Sequence, residues 1–545
     1  MEEAILSMNT FTATGPDEIP AVLLKNCKSI FSKVLLALLR HTIDEKDIPE
    51  VLLKSVVTPL LKANKDKYEP VSYRPLCITS VVMRFLEKII KKHLVAHIES
   101  TKLLPINQHG FRKLRSCLSN LLEQQDQILK GIENKEEVDT IYSDMEKCFD
   151  KFDFNVLIAK LKYFGIRGKL LDWIKIFITQ RKFTVRVNDT YSKEEVVVSG
   201  IAQGTCLGPV LMLIMNFDMD KYMNHSTINY FADDSKITKH INSNDDVKKL
   251  QDDLKGLIKW ENENNVKFNE EKFVCLKYNR NELVDSHYEI NGVQIKEQNN
   301  VRDLGIIVNN QGTFGEHIEQ VSKQCSRLTG MILRTFQYRD RITMITLLKT
   351  IILPKLDFGS ILWAPYEVQD MRKIEKIQSN FNKWIKIPGI DQMDYWQRLN
   401  ALKLYSIERR FERYTIIYVW KILHGLVVNP GLLLNTQAGA RNGIQFIVPK
   451  YTIKLREKSF MVRGPKLYNS LPKELKEFPN INAEKPNLAV SAFKKKLDSY
   501  LNTIPDEPNI SNEYGKRIQG YNFSGMKTNS IIRLKQKQGC MPRMS

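Results

Sequence analysis

Tyr230-Phe231-Ala232-Asp233-Asp234 sets two adjacent carboxylates between two short apolar, β-prone runs, Thr227 to Phe231 and Ser235 to Thr238. The pattern predicts a β-hairpin with both carboxylates at its tip. Carboxylate oxygens on rigid strands suit hard divalent cations. Two such ions, roughly 3.5–4 Å apart, clamp the attacking and leaving oxygens of an in-line displacement, the chemistry of nucleotidyl transfer. A third carboxylate must come from elsewhere, and Asp144, closing the apolar run Val138 to Tyr142, is placed to supply it. Two other pairs, Asp245-Asp246 and Asp252-Asp253, fall among Val247, Leu250, Leu254 and Leu257 at helical spacing. They are expected to be a solvated helix face.

The elements around the hairpin support that chemistry. Ser143-Asp144-Met145-Glu146-Lys147-Cys148-Phe149-Asp150 reads as a strand end passing into a helix. Ser199-Gly200-Ile201-Ala202-Gln203-Gly204-Thr205-Cys206-Leu207-Gly208-Pro209 reads as a glycine-rich turn opening the apolar helix Val210 to Phe217. Its glycines would let backbone approach a nucleotide and template closely. Between about 135 and 310, β-prone runs (Thr184 to Val187, Glu195 to Val198, Val274 to Tyr278, Gly305 to Val308) alternate with amphipathic helices, an α+β pattern around a small sheet. Beyond it, Ile318, Val321, Cys325, Leu328 and Ile332 define one helix face, and helices are expected over Thr343 to Leu353, Met371 to Lys386 and Tyr405 to Leu423. Trp363, Trp384, Trp396 and Trp420 are expected to anchor that helical core.

Composition narrows the partners. Apolar residues at 43% and charged residues at 26% are ordinary for a globular chain of 545 residues, but a net charge of +20 is not. It favours a polyanion, either nucleic acid or an anionic membrane surface. No run of about 18 apolar residues is present, so no spanning helix is expected, and no membrane partner with it. The N-terminus lacks the apolar core of a secretory signal. The eight cysteines are scattered without metal-ligand spacing and read as reduced thiols of an intracellular protein.

The three blocks together resemble the reverse transcriptases of non-long-terminal-repeat retrotransposons, particularly the jockey-like elements. The resemblance extends to Thr14-Gly15-Pro16-Asp17-Glu18-Ile19-Pro20, to Ser72-Tyr73-Arg74-Pro75-Leu76 with Phe85-Leu86-Glu87-Lys88, and to Gln108-His109-Gly110-Phe111-Arg112. Trp260, Lys267-Phe268-Asn269, Lys272 and Asp303-Leu304-Gly305 match the closing motifs, and the similarity runs over about residues 12 to 500. It implies a right-hand polymerase of α+β class: fingers in 1–125, palm in 126–313, a helical thumb in 314–388 and a helical extension in 389–502; composition alone, with no acidic residue after Glu513 and seven Lys or Arg, makes 503–545 a basic tail expected to be disordered.

It also implies roles. Asp144, Asp233 and Asp234 would hold two Mg²⁺ ions, with Mn²⁺ able to substitute, while Ala202, Gln203 and Gly204 line the template and nucleotide pocket. Arg74, and with it Lys62, would close onto the triphosphate; Lys272 would protonate the departing pyrophosphate. Phe149, five residues after Asp144, would fill the space of a ribose 2′-hydroxyl and so select deoxynucleotides. Relatives more often read Asp-Phe-x-Lys-Ala-Phe-Asp around the first aspartate and Pro-Gln-Gly-Ser-Val at the turn; neither departure removes a carboxylate or a glycine. The implied partners are an RNA template, a DNA primer and dNTPs. No endonuclease domain is expected ahead of the first motif, so a separate endonuclease would supply the nick, with the chain acting in the nucleus or cytoplasm as a ribonucleoprotein. The rival reading is an inactive, nucleic-acid-binding relic of such a polymerase.

Overall fold

The computed structural model describes residues 1–504 and 506, apart from 64, 147, 281–283, 436–442 and 479–485. Helix α1 (Lys28–Asp44) leads into β1 (Lys54–Leu61) and β2 (Tyr73–Thr79), an antiparallel pair with Leu60 opposite Arg74. Ser80 caps α2 (Val81–Thr101), its hydroxyl accepting from Met83 N at 3.2 Å. Ser116 and Ser119 form a reciprocal capping box on α3 (Cys117–Glu133), which satisfies two orphan donors and fixes where the helix begins. It packs on β3 (Glu137–Ser143), a strand buried along almost its whole length. Val138 and Ile141 are 0% exposed, and burial of each contributes about 1.5–3 kcal/mol, so the strand that ends at Asp144 is firmly anchored.

Helix α4 (Gly168–Thr179) precedes β4 (Lys182–Val187), which runs parallel to β1 and joins β1, β2 and the short strands Thr190–Tyr191 and Glu195–Val196 in a five-stranded sheet. Helix α5 (Gly208–Met215) is apolar on every side and buried throughout, as a helix crossing the middle of a core must be. Next come β5 (Thr227–Phe231), β6 (Asp234–Ile241), α6 (Asn244–Glu263) and β7 (Val274–Tyr278). The second sheet has the order Lys296–Glu297, β7, β3, β6, β5, so β3 is central and flanked by antiparallel partners. One continuous core, including Trp173 and Trp260, joins the second sheet to the helices around it. The hairpin β8 (Asn300–Asp303) and β9 (Ile306–Asn309) closes this part. The result is a mixed α/β arrangement of two sheets flanked by helices.

The remainder is helical: α7 (Gly315–Thr335), α8 (Arg341–Leu347), α9 (Val368–Asn382), α10 (Ile407–Leu423) and α11 (Pro486–Leu501) surround a second core. Trp420 stacks on Phe493 at 4.5 Å and Trp363 packs edge-on against Phe411. The expectation for two of the tryptophans fails here. Trp384 is 49% exposed rather than a core anchor, and Trp396 is half-buried. The helix expected over Thr343 to Leu353 is α8 followed by a π turn, Leu348–Ile352, before Leu353–Asp357; Pro354, which lacks an N–H, stands at that junction. A third correction concerns Asp253. It is 1% exposed on α6 and accepts Asn224 N at 2.8 Å and His225 N at 3.1 Å, so its side chain anchors the loop before β5 instead of meeting solvent. The tail reading lies outside the described residues beyond Asp506, whose carboxylate accepts from Ser406 N at 2.7 Å. No described helix is long and apolar enough to cross a membrane.

Candidate active site

Phe231 pairs with Asp234, leaving Ala232 and Asp233 as a two-residue hairpin turn. Ala232 takes φ of 62°, a position that glycine usually fills in such turns; the conformation costs an alanine roughly 1–2 kcal/mol. On the other side of β6, Ser143 pairs with Ser235, and their hydroxyls touch. One step past that pair, the register sets Asp144 across from Asp234. All three sequence-predicted carboxylates therefore meet at one end of the second sheet.

The strained turn is held by the Gln108 block. Gln108 Oε1 accepts from Ala232 N at 3.1 Å and from Gly110 N at 2.8 Å. His109 N donates to Tyr230 O at 3.0 Å, and Tyr230 N donates to Asn107 O at 3.1 Å. A Cβ on Gly110 would collide with Ala232 N. Beneath the hairpin, the ammonium of Lys236 lies 2.6 Å from Asp303 Oδ2 and 2.6 Å from Asn120 Oδ1, with the pair's side chains 2% and 5% exposed. Asn120 Nδ2 in turn donates to Tyr230 O at 3.0 Å.

The glycine-rich turn is docked on both sides. Gly200, at φ of 79°, abuts the backbone of Asp150, and Ile201 N donates to Phe149 O at 2.6 Å. Gly204, at φ of 113°, would place a Cβ 2.7 Å from Cys77 O on β2, and Cys77 N donates to Gln203 O at 2.9 Å. Both glycines thus permit a close approach within the chain itself. Gln203 Nε2 also donates to Asp150 Oδ1 at 3.3 Å. Glu87, 0% exposed, accepts from Leu207 N at 2.9 Å at the start of α5. Burial pushes its carboxyl up to about 7, against the pull of the Leu207 and Cys206 N–H groups. Arg181, also buried, donates to Gly200 O at 2.7 Å.

Charge crowds the aspartates. Burial raises Asp233 and the Asp144 carboxylate raises it further, while Arg74 and Lys272 oppose both. Asp234 is pushed up to about 6 by burial and then by Asp233, Asp144 and Asp303. Its side chain also reaches solvent, so water softens both effects. Lys272, at the end of the short helix Glu270–Lys272, contacts Asp144 Oδ2. Its side chain is 58% exposed and that of Asp144 29%. Among the described residues no group of three His, Cys, Asp or Glu stands at metal-holding spacing. The donor chemistry nonetheless suits a hard divalent cation, because three carboxylates stand at this end of the sheet and a lysine ammonium already acts as counter-cation to one of them.

Arg74 is exposed on β2, near enough for its charge to act on Asp233. Lys62 lies just past β1, its ammonium donating to Val71 O at 3.0 Å, and the structure gives it no contact with the aspartates. Phe149 is half-buried against the first core, and Ala202 is half-buried and accepts from Thr205 Oγ1 at 2.9 Å. Sequence reasoning missed the supports Glu87, Lys236 and Asn120, and it gave Gln108 no role. One signal was available: Glu87 shares the helical stripe of Met83, Ile90 and Leu94, where a carboxylate needs a buried partner.

Residues 62–308 match the family model of the reverse transcriptase (RNA-dependent DNA polymerase). Among curated relatives, the chain is 24% identical over 440 residues to the probable RNA-directed DNA polymerase from transposon BS of Drosophila melanogaster, covering 76% of this chain and 47% of the relative. It is 24% identical over 346 residues to that from transposon X-element of the same fly, covering 61% and 37%. The RNA-directed DNA polymerase from mobile element jockey is 23% identical over 356 residues, covering 63% and 39%. The chain spans about half the length, or less, of these relatives. Among solved structures it is similar to apo telomerase from Candida tropicalis, with a TM-score of 0.40 and 13% identity over 74% of this chain and 67% of that one.

Proposed function

We propose that this chain, whose residues 62–308 are a reverse transcriptase domain akin to those of jockey-type elements, copies RNA into DNA by extending a primer 3′-hydroxyl with deoxynucleotides. The observation that carries this reading is the meeting of Asp144 with Asp233 and Asp234 at one end of a sheet whose register is locked on both sides. Those carboxylates would hold two Mg²⁺ ions, or Mn²⁺ in their place; when bound, the metals would activate the 3′-hydroxyl and neutralise triphosphate charge. The chain's own residues do the positioning. Arg74 offers a planar guanidinium to the triphosphate from β2, with Lys62 two residues past its cross-strand partner Leu60. Gln203 and Gly204, tied to Cys77, keep that hairpin in register with the pocket lined by Ala202. Phe149 closes the space of a 2′-hydroxyl. Lys272, released from Asp144, would deliver a proton to the leaving pyrophosphate.

On this reading residues 1–125 are fingers, 126–313 palm, 314–388 thumb and 389–502 an extension, acting on an RNA template and DNA primer in the nucleus or cytoplasm. A separate endonuclease would supply the nick. The second reading, an inactive nucleic-acid-binding relic, is favoured by the Lys272–Asp144 contact, which neutralises the first aspartate. Extension of oligo(dT) on poly(rA) with dTTP and Mg²⁺, compared with Asp233→Ala, decides between them. Extension that vanishes in the variant supports the polymerase; tight binding without extension in either protein supports the relic.

A further inference from the structure

Phe336 to Asp340 join α7 to α8, and this stretch folds against residues 383–386 beyond α9. The contact is made by backbone: Lys386 N donates to Arg339 O at 2.7 Å, and Asp340 bridges to Lys386. The Arg339 guanidinium lies over the Trp384 ring, 4.6 Å from its centroid, and donates to Leu333 O at 3.0 Å. The frame is therefore rigid. Around it large apolar side chains face water: Tyr338 and Ile342 are each 80% exposed, Trp384 49%, Met331 46% and Phe336 37%.

Exposed apolar groups gathered on one turn mark an interaction surface, and the charges among them select its partner. Arg334, Arg339, Arg341, Lys383 and Lys386 stand in these two segments against a single carboxylate, Asp340. That carboxylate is engaged in capping α8, accepting Ile342 N at 2.9 Å and Thr343 N at 3.0 Å. Rings interleaved with cations suit a partner that is flat, aromatic and anionic at once. In a duplex the base faces are stacked away, so the rings would have nothing to pair with; unpaired nucleotides offer them.

We infer that this turn is a stacking platform for single-stranded nucleic acid. Trp384, braced by Arg339, and Tyr338 stack on unpaired bases, while Arg334, Arg341 and Lys386 hold the phosphates between them. The proposal does not rest on the polymerase reading, since it needs neither metal nor nucleotide.

The test is fluorescence anisotropy on the full chain without Mg²⁺, using labelled oligo(U) and oligo(dT) of about twelve nucleotides. Tyr338→Ala and Trp384→Ala should each weaken both about tenfold at every salt concentration, and Trp384→Phe should restore most of the loss. Arg341→Ala with Lys386→Ala should instead flatten the salt dependence, by about 1.4 in the log–log slope. Should Trp384→Ala melt early, Tyr338→Ala, on the exposed loop, stands as the deciding variant. Wild-type affinity in Tyr338→Ala, or equal losses on a blunt duplex, overturns the inference. So does sedimentation showing that the rings join two copies of the chain. Asp233→Ala should bind the oligonucleotides normally, so loss of extension and loss of this surface are told apart.

Discussion

Replacing Lys236 by Met should destabilise the second sheet and disturb the aspartates at once. The ammonium is the buried counter-charge of Asp303, 2.6 Å away, and the donor to Asn120 Oδ1 at the same distance. Methionine is close in length but leaves the Asp303 carboxylate buried at 5% side-chain exposure without its cation. Breaking a pair of this kind by removing one partner costs about 3–5 kcal/mol, whereas replacing both by apolar groups is often nearly neutral. Lys236→Met should therefore lose about 3–5 kcal/mol, and Lys236→Met with Asp303→Leu should recover most of it. Urea unfolding followed by tryptophan fluorescence reads the effect, because Trp173 and Trp260 both lie in the core beneath this sheet. A second consequence is electrical. Lys236 is the cation that holds Asp234 down, so its loss should move the acid limb of the pH–rate profile upward from about 6. A single variant no less stable than the double, with an unmoved acid limb, would refute the reasoning.

Other tests follow from the same geometry. Since Asp234 is raised to about 6, the folded state holds a proton that the unfolded chain has lost between roughly pH 4 and 6. This group therefore favours folding as pH falls through that window and disfavours it above about 6, while metal-dependent extension should move the opposite way and fall below about 6; paired melting and pH–rate profiles check both signs. Glu87→Gln keeps an acceptor for Leu207 N and should melt near wild type, whereas Glu87→Leu strands that N–H at a cost of about 1–3 kcal/mol, visible in thermal melts together with loss of extension. Phe149→Val should raise ribonucleotide use relative to deoxynucleotide use about 10- to 200-fold; competition assays showing unchanged sugar preference would remove Phe149 from the gate. Lys272→Met frees Asp144 of its ammonium, so half-saturating Mg²⁺ should drop while turnover falls, and an unchanged Mg²⁺ titration would count against any competition at that carboxylate.

What the sequence made legible was whatever local spacing enforces. The hairpin at Asp233, the strand Val274–Tyr278 and the helix over Ile318 to Ile332 all follow from apolar periods of two or of three and four, and each stands where that period puts it. Even Asp144 could be placed, because a strand that ends in a carboxylate needs no distant information. The supports beneath the aspartates are of another kind. Gln108 reaches Ala232 across 124 positions, Glu87 reaches Leu207 across 120, and Lys236 reaches Asn120 across 116. A polar side chain on a buried stripe announces only that a partner must exist; which partner is settled by packing of elements that periodicity cannot bring together. The same logic explains the two reversals. Asp253 reads as surface because its neighbour Asp252 is, yet a step of one residue on a helix turns a side chain by roughly 100°, enough to carry it from water to the loop it holds. Trp384 reads as core because large rings usually are, yet the guanidinium of Arg339 lies over one face while Lys386, two residues on, bridges to Asp340, and the ring stays 49% exposed. A ring so braced and so exposed is stable without burial, and it is the bare face that leaves something for a ligand to do.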